Sequence, residues 1–332
     1  MSPFRRRFLQ VLVGAATAPA VVGRSSSAET QRQVRVATGL LAMWQSTAWL
    51  GAEAGIFRKR QIEMSLTGIA IGGPQAAAGL IRGDYEFAHT GVLPVAEEVL
   101  KGNDIVILAT PTIEFPNQFI MTRPEIAELA GLAGKRVGVL SETGQTSVAT
   151  RIAIEKAGAV ASYAPLVRFD RIYAALAAGE IEAGVLPVDL RFVGANRYGW
   201  NAFPVYEFGT PSIFASTRKL IASDRELVMN VMRGFVETIH LFKTRPDIVV
   251  PLLQRYLNIE DRKAADALYD YHLPVFQQVP RPALGGLQNV RDVLAAKYAG
   301  ATSVKETDIA DSSFIDELER DGFIDRLYLG GR

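Results

Sequence analysis

The sequence has no cysteine, only three histidines, and no excess of positive charge beyond its first two dozen residues. Without cysteine there are no disulfides, thiolate metal sites or cysteine nucleophiles, and none of the lipidated cysteines that tether many exported bacterial proteins. Four basic residues (Arg5, Arg6, Arg7 and Arg24) of the 36 lie before Glu29 and no acid does, which leaves 32 against 35 acids, a net charge of −3 from residue 29 onward. A chain so balanced carries no electrostatic footprint for nucleic acid. No His, Asp and Glu cluster has metal-ligand spacing, no Ser-His-Asp order is visible, and no G-x-G-x-x-G follows a strand-like run. Neither a metal nor a cofactor is expected, and no internal repeat or low-complexity tract is seen past the N-terminus.

What is present is 332 residues, 48% hydrophobic and 21% charged, a globular composition long enough for two domains. The N-terminus reads as an address. Arg5-Arg6-Arg7 precede an apolar run at 8–22, broken by Gln10 and Pro19 and shorter than the ~20 residues that anchor a chain across a bilayer. Ser26-Ser27-Ala28 then supplies a small-x-small cleavage pattern, so residues 1–28 are expected to be a removed signal peptide. Arg5-Arg6-Arg7-Phe8-Leu9-Gln10 resembles the twin-arginine motif R-R-x-F-L-K; a Sec signal and an uncleaved anchor are the alternatives. The expected destination is the periplasm, as a soluble protein that is not a lipoprotein.

Past the signal, short β-rich runs alternate with helical patterns, which predicts an α/β fold built from βαβ units. Strands are predicted at 34–38, 62–68, 86–89 and 105–110, with helices at 46–55, from 73 and at 92–101. A second unit repeats the plan, with strands at 136–140, 166–169 and 183–186 and helices at 145–157 and 171–178. Two candidate crossing segments, 112–122 and 205–216, make the second unit an insertion in the first. The expected division is residues 33–118 and 213–332 for lobe 1, with C-terminal helices, and 119–212 for lobe 2. From 223 the pattern is helical. Ser223 and Glu226 are spaced as a capping box, and Leu227, Val231, Met232, Phe235, Ile239 and Phe242 recur on one helical face.

Residues 48–64 (AWLGAEAGIFRKRQIEM) resemble the opening of the sulfonate-, taurine- and nitrate-type periplasmic binding proteins, roughly A-x-x-x-G-[FI]-F-x-x-x-G-[IL]-x-[VM], with Gln61 in place of the usual glycine. Gly72-Gly73-Pro74-Gln75 with residues 80–88 (LIRGDYEFA) resembles the family's next block, and residues 131–139 (GLAGKRVGV) the start of its second lobe. The resemblance runs in order along nearly all of the chain after the signal. It implies the two-lobed, type II periplasmic-binding-protein-like fold, each lobe a βαβ sheet flanked by helices and joined by two crossing hinge segments. It also implies a monomer that delivers a small-molecule solute to an ABC permease in the inner membrane.

In open α/β sheets ligands bind beyond the carboxyl ends of the strands, where helix N-termini point. Gly144, Thr146 and Ser147 open a helix there, and the family uses this loop for anions; ordinary capping by Ser or Thr is the alternative. Gly73 and Gln75 hold the equivalent place in the first lobe. Trp44 and Gln45 follow the first strand, where an aromatic wall and an amide suit an organic solute, with core packing of Trp44 as the alternative. Thr90 follows the third strand, Thr112 lies on the first crossing segment, and Asp189 follows the last strand of the second unit. His89 is read as structural. The expected solute is a small organic anion, a sulfonate or carboxylate. A neutral heteroaromatic such as a pyrimidine precursor of thiamine is the second reading, because related proteins bind those. An enzyme on the same fold is the third, and the absence of cysteine counts against the fungal pyrimidine synthase among those relatives.

Overall fold

In strand β1 (Arg32–Thr38) Arg35 faces solvent between the buried Val34 and Val36, the two-residue period of a pleated strand with one face on a core. The structure is a computed structural model that describes residues 31–330 apart from 70, 207–211 and 261, and apart from the side chains of residues 189, 192, 193, 195 and 196. The predicted signal peptide therefore lies outside the described residues. Helix α1 (Thr47–Glu53) leads to β2 (Ile62–Gly68), α2 (Gly73–Arg82), β3 (Phe87–Thr90), α3 (Val92–Leu100) and β4 (Val106–Ala109). The chain then crosses to β5 (Gln118–Thr122), β6 (Arg136–Val139), α4 (Gln145–Lys156), β7 (Ser162–Pro165), α5 (Phe169–Ala178), β8 (Ala183–Pro187), α6 (Val188–Tyr198) and β9 (Asn201–Val205). It returns as β10 (Ile213–Ser216), followed by α7 (Arg218–Ser223), α8 (Arg225–Thr244), α9 (Pro246–Leu257), α10 (Arg262–His272), α11 (Leu287–Ala295), α12 (Glu306–Ile309), α13 (Ser313–Arg320) and α14 (Phe323–Leu329).

Two five-stranded sheets result, in the orders β2-β1-β3-β10-β4 and β7-β6-β8-β5-β9. In the first, β1 runs parallel to β2 and β3 while β10 is antiparallel to both of its neighbours. In the second, β6 is parallel to β7 and β8 while β5 is antiparallel to β8 and β9. Each sheet is mixed, with helices packed on it, and the whole is a two-lobed α/β fold.

Helix α8 anchors the first sheet. Phe235 stacks on Phe214 of β10 at 4.7 Å, and Phe214 stacks on Phe87 of β3 at 5.3 Å, so an aromatic ladder runs from helix to sheet. Phe57 wedges between α1 and α8: a Cβ on Gly51 would meet its ring at 2.6 Å, and one on Gly234 at 2.5 Å. Both glycines are there for space. The α8 N-cap is Asp224, whose carboxylate accepts from the Leu227 amide at 3.1 Å, and not the predicted Ser223, which ends α7.

One strand is displaced from its prediction. Residues 166–169 were the apolar run, yet β7 is Ser162–Pro165 and Phe169 already begins α5. The edge position explains it: β7 pairs only with β6, so little of it is buried and its apolar signal is weak. Leu166 and Val167 instead make the turn into α5, with Val167 held at φ +68°. Gln61, where the family pattern has glycine, is likewise left-handed at φ +58°.

Candidate functional site

Three helix N-termini meet at one cavity of about 410 Å³: those of α2, α3 and α4, the first two from the first sheet's lobe and the third from the second's. Each follows directly on a strand or its loop, as the βαβ plan requires. Each N-cap is a glycine, Gly72, Gly91 or Gly144, with no side chain to cap the helix. The glycines are also spacers. A Cβ on Gly73 would lie 3.1 Å from Thr90 Oγ1, one on Gly39 would lie 3.2 Å from Gly73 Cα, and one on Gly91 would lie 2.5 Å from Gln145 Oε1.

The initial amides of a helix have no partner within it, and the aligned peptide dipoles place about half a positive charge at that end. Three such ends converging make an electropositive lining without a cation. Among the described residues the only charged side chain at the cavity is Glu142, which is exposed at its mouth. Water screens it there more than it screens the helix ends within.

The α4 loop is braced by its own hydroxyls. Gly144 N donates to Ser141 Oγ at 2.9 Å, Ser141 N donates to Ser147 Oγ at 3.2 Å, and Gln118 Nε2 donates to Thr146 Oγ1 at 2.9 Å. Gln145 reaches across to the other lobe, where its Oε1 accepts from Leu93 N, in the first turn of α3, at 3.1 Å.

Of the sequence-predicted residues, Gln45, Gly73, Gln75, Thr90, Gly144, Thr146 and Ser147 line this cavity together. Two of them are also structural: Thr90 donates to the Gly73 carbonyl at 3.0 Å, and Gln45 Oε1 accepts from Leu40 N at 2.9 Å. Trp44 and Thr112 do not line it. Trp44 is buried, stacked on His272 with ring centres 6.0 Å apart and edge-on to Phe115 at 6.4 Å. Thr112 is buried in a bridge to Phe276, which ties the crossing segment to the C-terminal region. Asp189 lies in the first turn of α6, and its side chain is outside the described residues. Sequence reasoning took Gln145 and Gly91 only as members of the 144–147 and 90–91 loops, without a contact of their own, and missed Leu40. Gly91 carried a signal, as a glycine between a strand and a helix; Gln145 carried none.

His89 has no exposure to the cavity. It is fully buried, with Nε2 2.6 Å from Thr47 Oγ1 and Nδ1 3.3 Å from Ser212 Oγ, and burial pushes its pKa down to about 3. Among the described residues there is no group of three or more metal-ligating side chains, and no helix is long and apolar enough to cross a membrane.

The fold is similar to that of solved periplasmic binding proteins. A protein of Bordetella bronchiseptica RB50 superposes with a TM-score of 0.71 at 14% identity, over 88% of this chain and 98% of that one. The alkanesulfonate-binding protein of Xanthomonas axonopodis pv. citri, solved bound to MOPS, gives 0.65 at 16% identity, over 82% and 95%. The periplasmic nitrate-binding protein of Synechocystis PCC 6803 gives 0.62 at 10% identity, over 87% and 88%. These are the sulfonate and nitrate types that the sequence blocks resemble. No family model and no curated protein sequence matches the chain.

Proposed function

We infer that the protein is the extracytoplasmic solute-binding component of an ABC importer and binds a small organic anion, a sulfonate or carboxylate, between its lobes. The observation that carries this is the convergence of three glycine-capped helix N-termini on one cavity of about 410 Å³. That volume suits a small solute. The anion's charge is met by backbone dipoles, and its oxygens by amides and hydroxyls of the α4 loop. Structural neighbours named for alkanesulfonate and nitrate binding support the same ligand chemistry.

In this reading lobe 1 comprises residues 33–118 and 213–332, lobe 2 comprises 119–212, and the two crossing segments are the hinge. The protein works as a monomer without catalysis, is exported by its N-terminal signal, and hands the solute to a membrane permease. The test is mass spectrometry of solute released from purified protein by denaturation, followed by calorimetric titration and recovery of the titrant. An anion recovered unchanged is the expected result. A cation, or a titrant converted to product, would sink the reading.

A further inference from the structure

The backbone at Val167 is of a kind that a valine seldom adopts. Leu166 N donates to Val139 O, at the end of β6, at 2.8 Å, and Arg168 N turns straight back to donate to Leu166 O at 2.8 Å. With φ +68° at the residue between, this is a three-residue γ-turn of the rare, strained hand. The other two non-glycine residues with positive φ among the described ones, Gln61 and Asn258, cap the C-termini of helices, where that geometry is ordinary. Val167 is the one β-branched residue of the three, and branching makes the left-handed region most costly.

Packing within the fold does not explain it. An apolar residue just before a helix N-cap commonly packs on the fourth helical residue, here the buried Ile172. Val167 instead keeps 67% of its surface exposed and lines the interlobe cavity. It follows β7, the edge strand of the second sheet, while Ile71, which lines the same cavity from the other lobe, follows β2, the edge strand of the first. The chain crosses between the sheets at their other sides, from β4 to β5 and from β9 to β10. Val167 and Ile71 therefore form the lip of the cavity farthest from the crossings. The Ile71 side of it is fastened to the end of β1, since Ile71 N donates to Thr38 O at 3.3 Å and Gly72 N to Gly39 O at 2.9 Å. The rest of the apolar wall is Leu40, Pro94, Leu140 and Pro165, and among the described residues no aromatic side chain lines the cavity.

Strain that brings no burial points to a contact made outside the fold, and the cavity at whose lip Val167 stands identifies the partner as the solute. We propose that Val167 is a specificity-determining residue: with Ile71 across the cleft it grips a saturated hydrocarbon chain, so that the solute is an anion with an aliphatic tail. The inference rests on the reading of the cleft as an anion site, and adds which way the solute lies in it and what its uncharged end is. The head sits at the α4 loop, and the tail runs past Leu140 and Pro165 to the lip, away from the crossing segments. An aromatic tail finds no ring there to stack on.

The probes are ethanesulfonate and hexane-1-sulfonate, which share a head group and differ by four methylenes. A fully buried methylene is worth about fourfold in affinity, so a chain gripped along only part of its length should still gain at least tenfold. Titration calorimetry on the purified protein is expected to show that preference in the wild type. It should fall below threefold in Val167→Asn and in Ile71→Ser, through weaker binding of the hexyl probe. Asparagine accepts the left-handed backbone, so the first variant keeps the turn, and a urea midpoint confirms that it folds. A wild-type preference below tenfold, or a preference that both variants retain, overturns the lip while leaving the anion site standing. If neither sulfonate binds, acetate and hexanoate take their place on the same thresholds. If no probe of either kind binds, the anion reading fails and the lip falls with it.

Discussion

The Gln145 side chain is a cap supplied in trans. Its Oε1 takes the Leu93 amide of α3, whose own N-cap, Gly91, has no side chain to do so. An N-cap contributes ~1 kcal/mol, with a range of about 0.5–2. This one joins two lobes, so it stabilises only the closed form. Gln145→Ala should then shift the closure equilibrium toward open by about fivefold, since ~1.4 kcal/mol is one decade. Affinity for an anion such as propane-1-sulfonate should fall by the same factor, because apparent affinity scales with the closure-competent fraction. Gly91→Ala should act on the same contact from the other side, since its methyl would sit 2.5 Å from Oε1. The backbone there, at φ −94°, suits alanine, so the effect is steric alone. The double variant gives the discriminating result. With Gln145 shortened the Gly91→Ala methyl no longer meets Oε1 or Cδ and keeps only a tight 3.0 Å contact with the remaining Cβ, so the two changes together should cost less than the sum of the two alone. Small-angle scattering reports the open fraction and calorimetry the affinity. Strict additivity, or an unchanged radius of gyration in Gln145→Ala, would refute the latch.

Three further outcomes are expected. His89 and His272 are buried neutral, with pKa values pushed down to about 3 and about 4 by desolvation against 6.5 in the unfolded chain. The unfolded state therefore takes up protons around and below pH 6.5 that the folded state refuses, and stability that is complete well above that pH should fall by about 3 kcal/mol in all between pH 6.5 and 5. Urea midpoints that do not move over that interval would contradict the burial of both rings. Val167→Gly should raise stability by about 0.5–1 kcal/mol in urea melts, because relief of left-handed strain outweighs the added freedom of glycine when unfolded. The valine side chain is 67% exposed, so little burial is lost with it, and a destabilised variant would show that the turn is not strained. Replacing Arg5 and Arg6 with lysine should leave the protein in the cytoplasmic fraction, and undiminished recovery outside the cytoplasm would remove the twin-arginine reading.

Local physics was legible in the sequence wherever burial is one-sided and repeated. The two-residue period of residues 34–38 and the helical period from Leu227 to Phe242 each encode a face turned to a core, and β1 and α8 lie there. The glycines between strands and helices were legible for a similar reason, since a βαβ turn needs close backbone approach. Contacts that depend on a distant partner left no trace. Gln145 reads as an ordinary polar residue in a first helical turn, and only the position of α3 makes it a cap. Trp44 follows a strand like a ligand wall, but His272 and Phe115, from segments far along the chain, claim both of its faces. The edge strand β7 failed for the opposite reason: it is paired on one side only, so the stronger apolar signal lay in the turn beyond it.

How the cleft obtains its positive character bears on what it can select. The field of a helix end falls off within its first turn, unlike that of a lysine or arginine projecting into solvent. A chain of net charge −3 from residue 29 onward, with no cationic side chain at the cavity among the described residues, thus has little with which to draw an anion from a distance. For an anion bound as proposed, recognition would begin only when it has shed water and entered among the amides. Its oxygens then meet donors fixed in place by the glycine spacers and by the Ser141, Ser147 and Gln118 bonds. Fixed donors at short range reject an anion of the wrong shape, because each misplaced oxygen strands a desolvated N–H at a cost of about 1–3 kcal/mol. A site of this kind would trade speed of capture for discrimination, and on the proposed function the Gln145 contact between the lobes would help hold the closed form in which that discrimination is exerted.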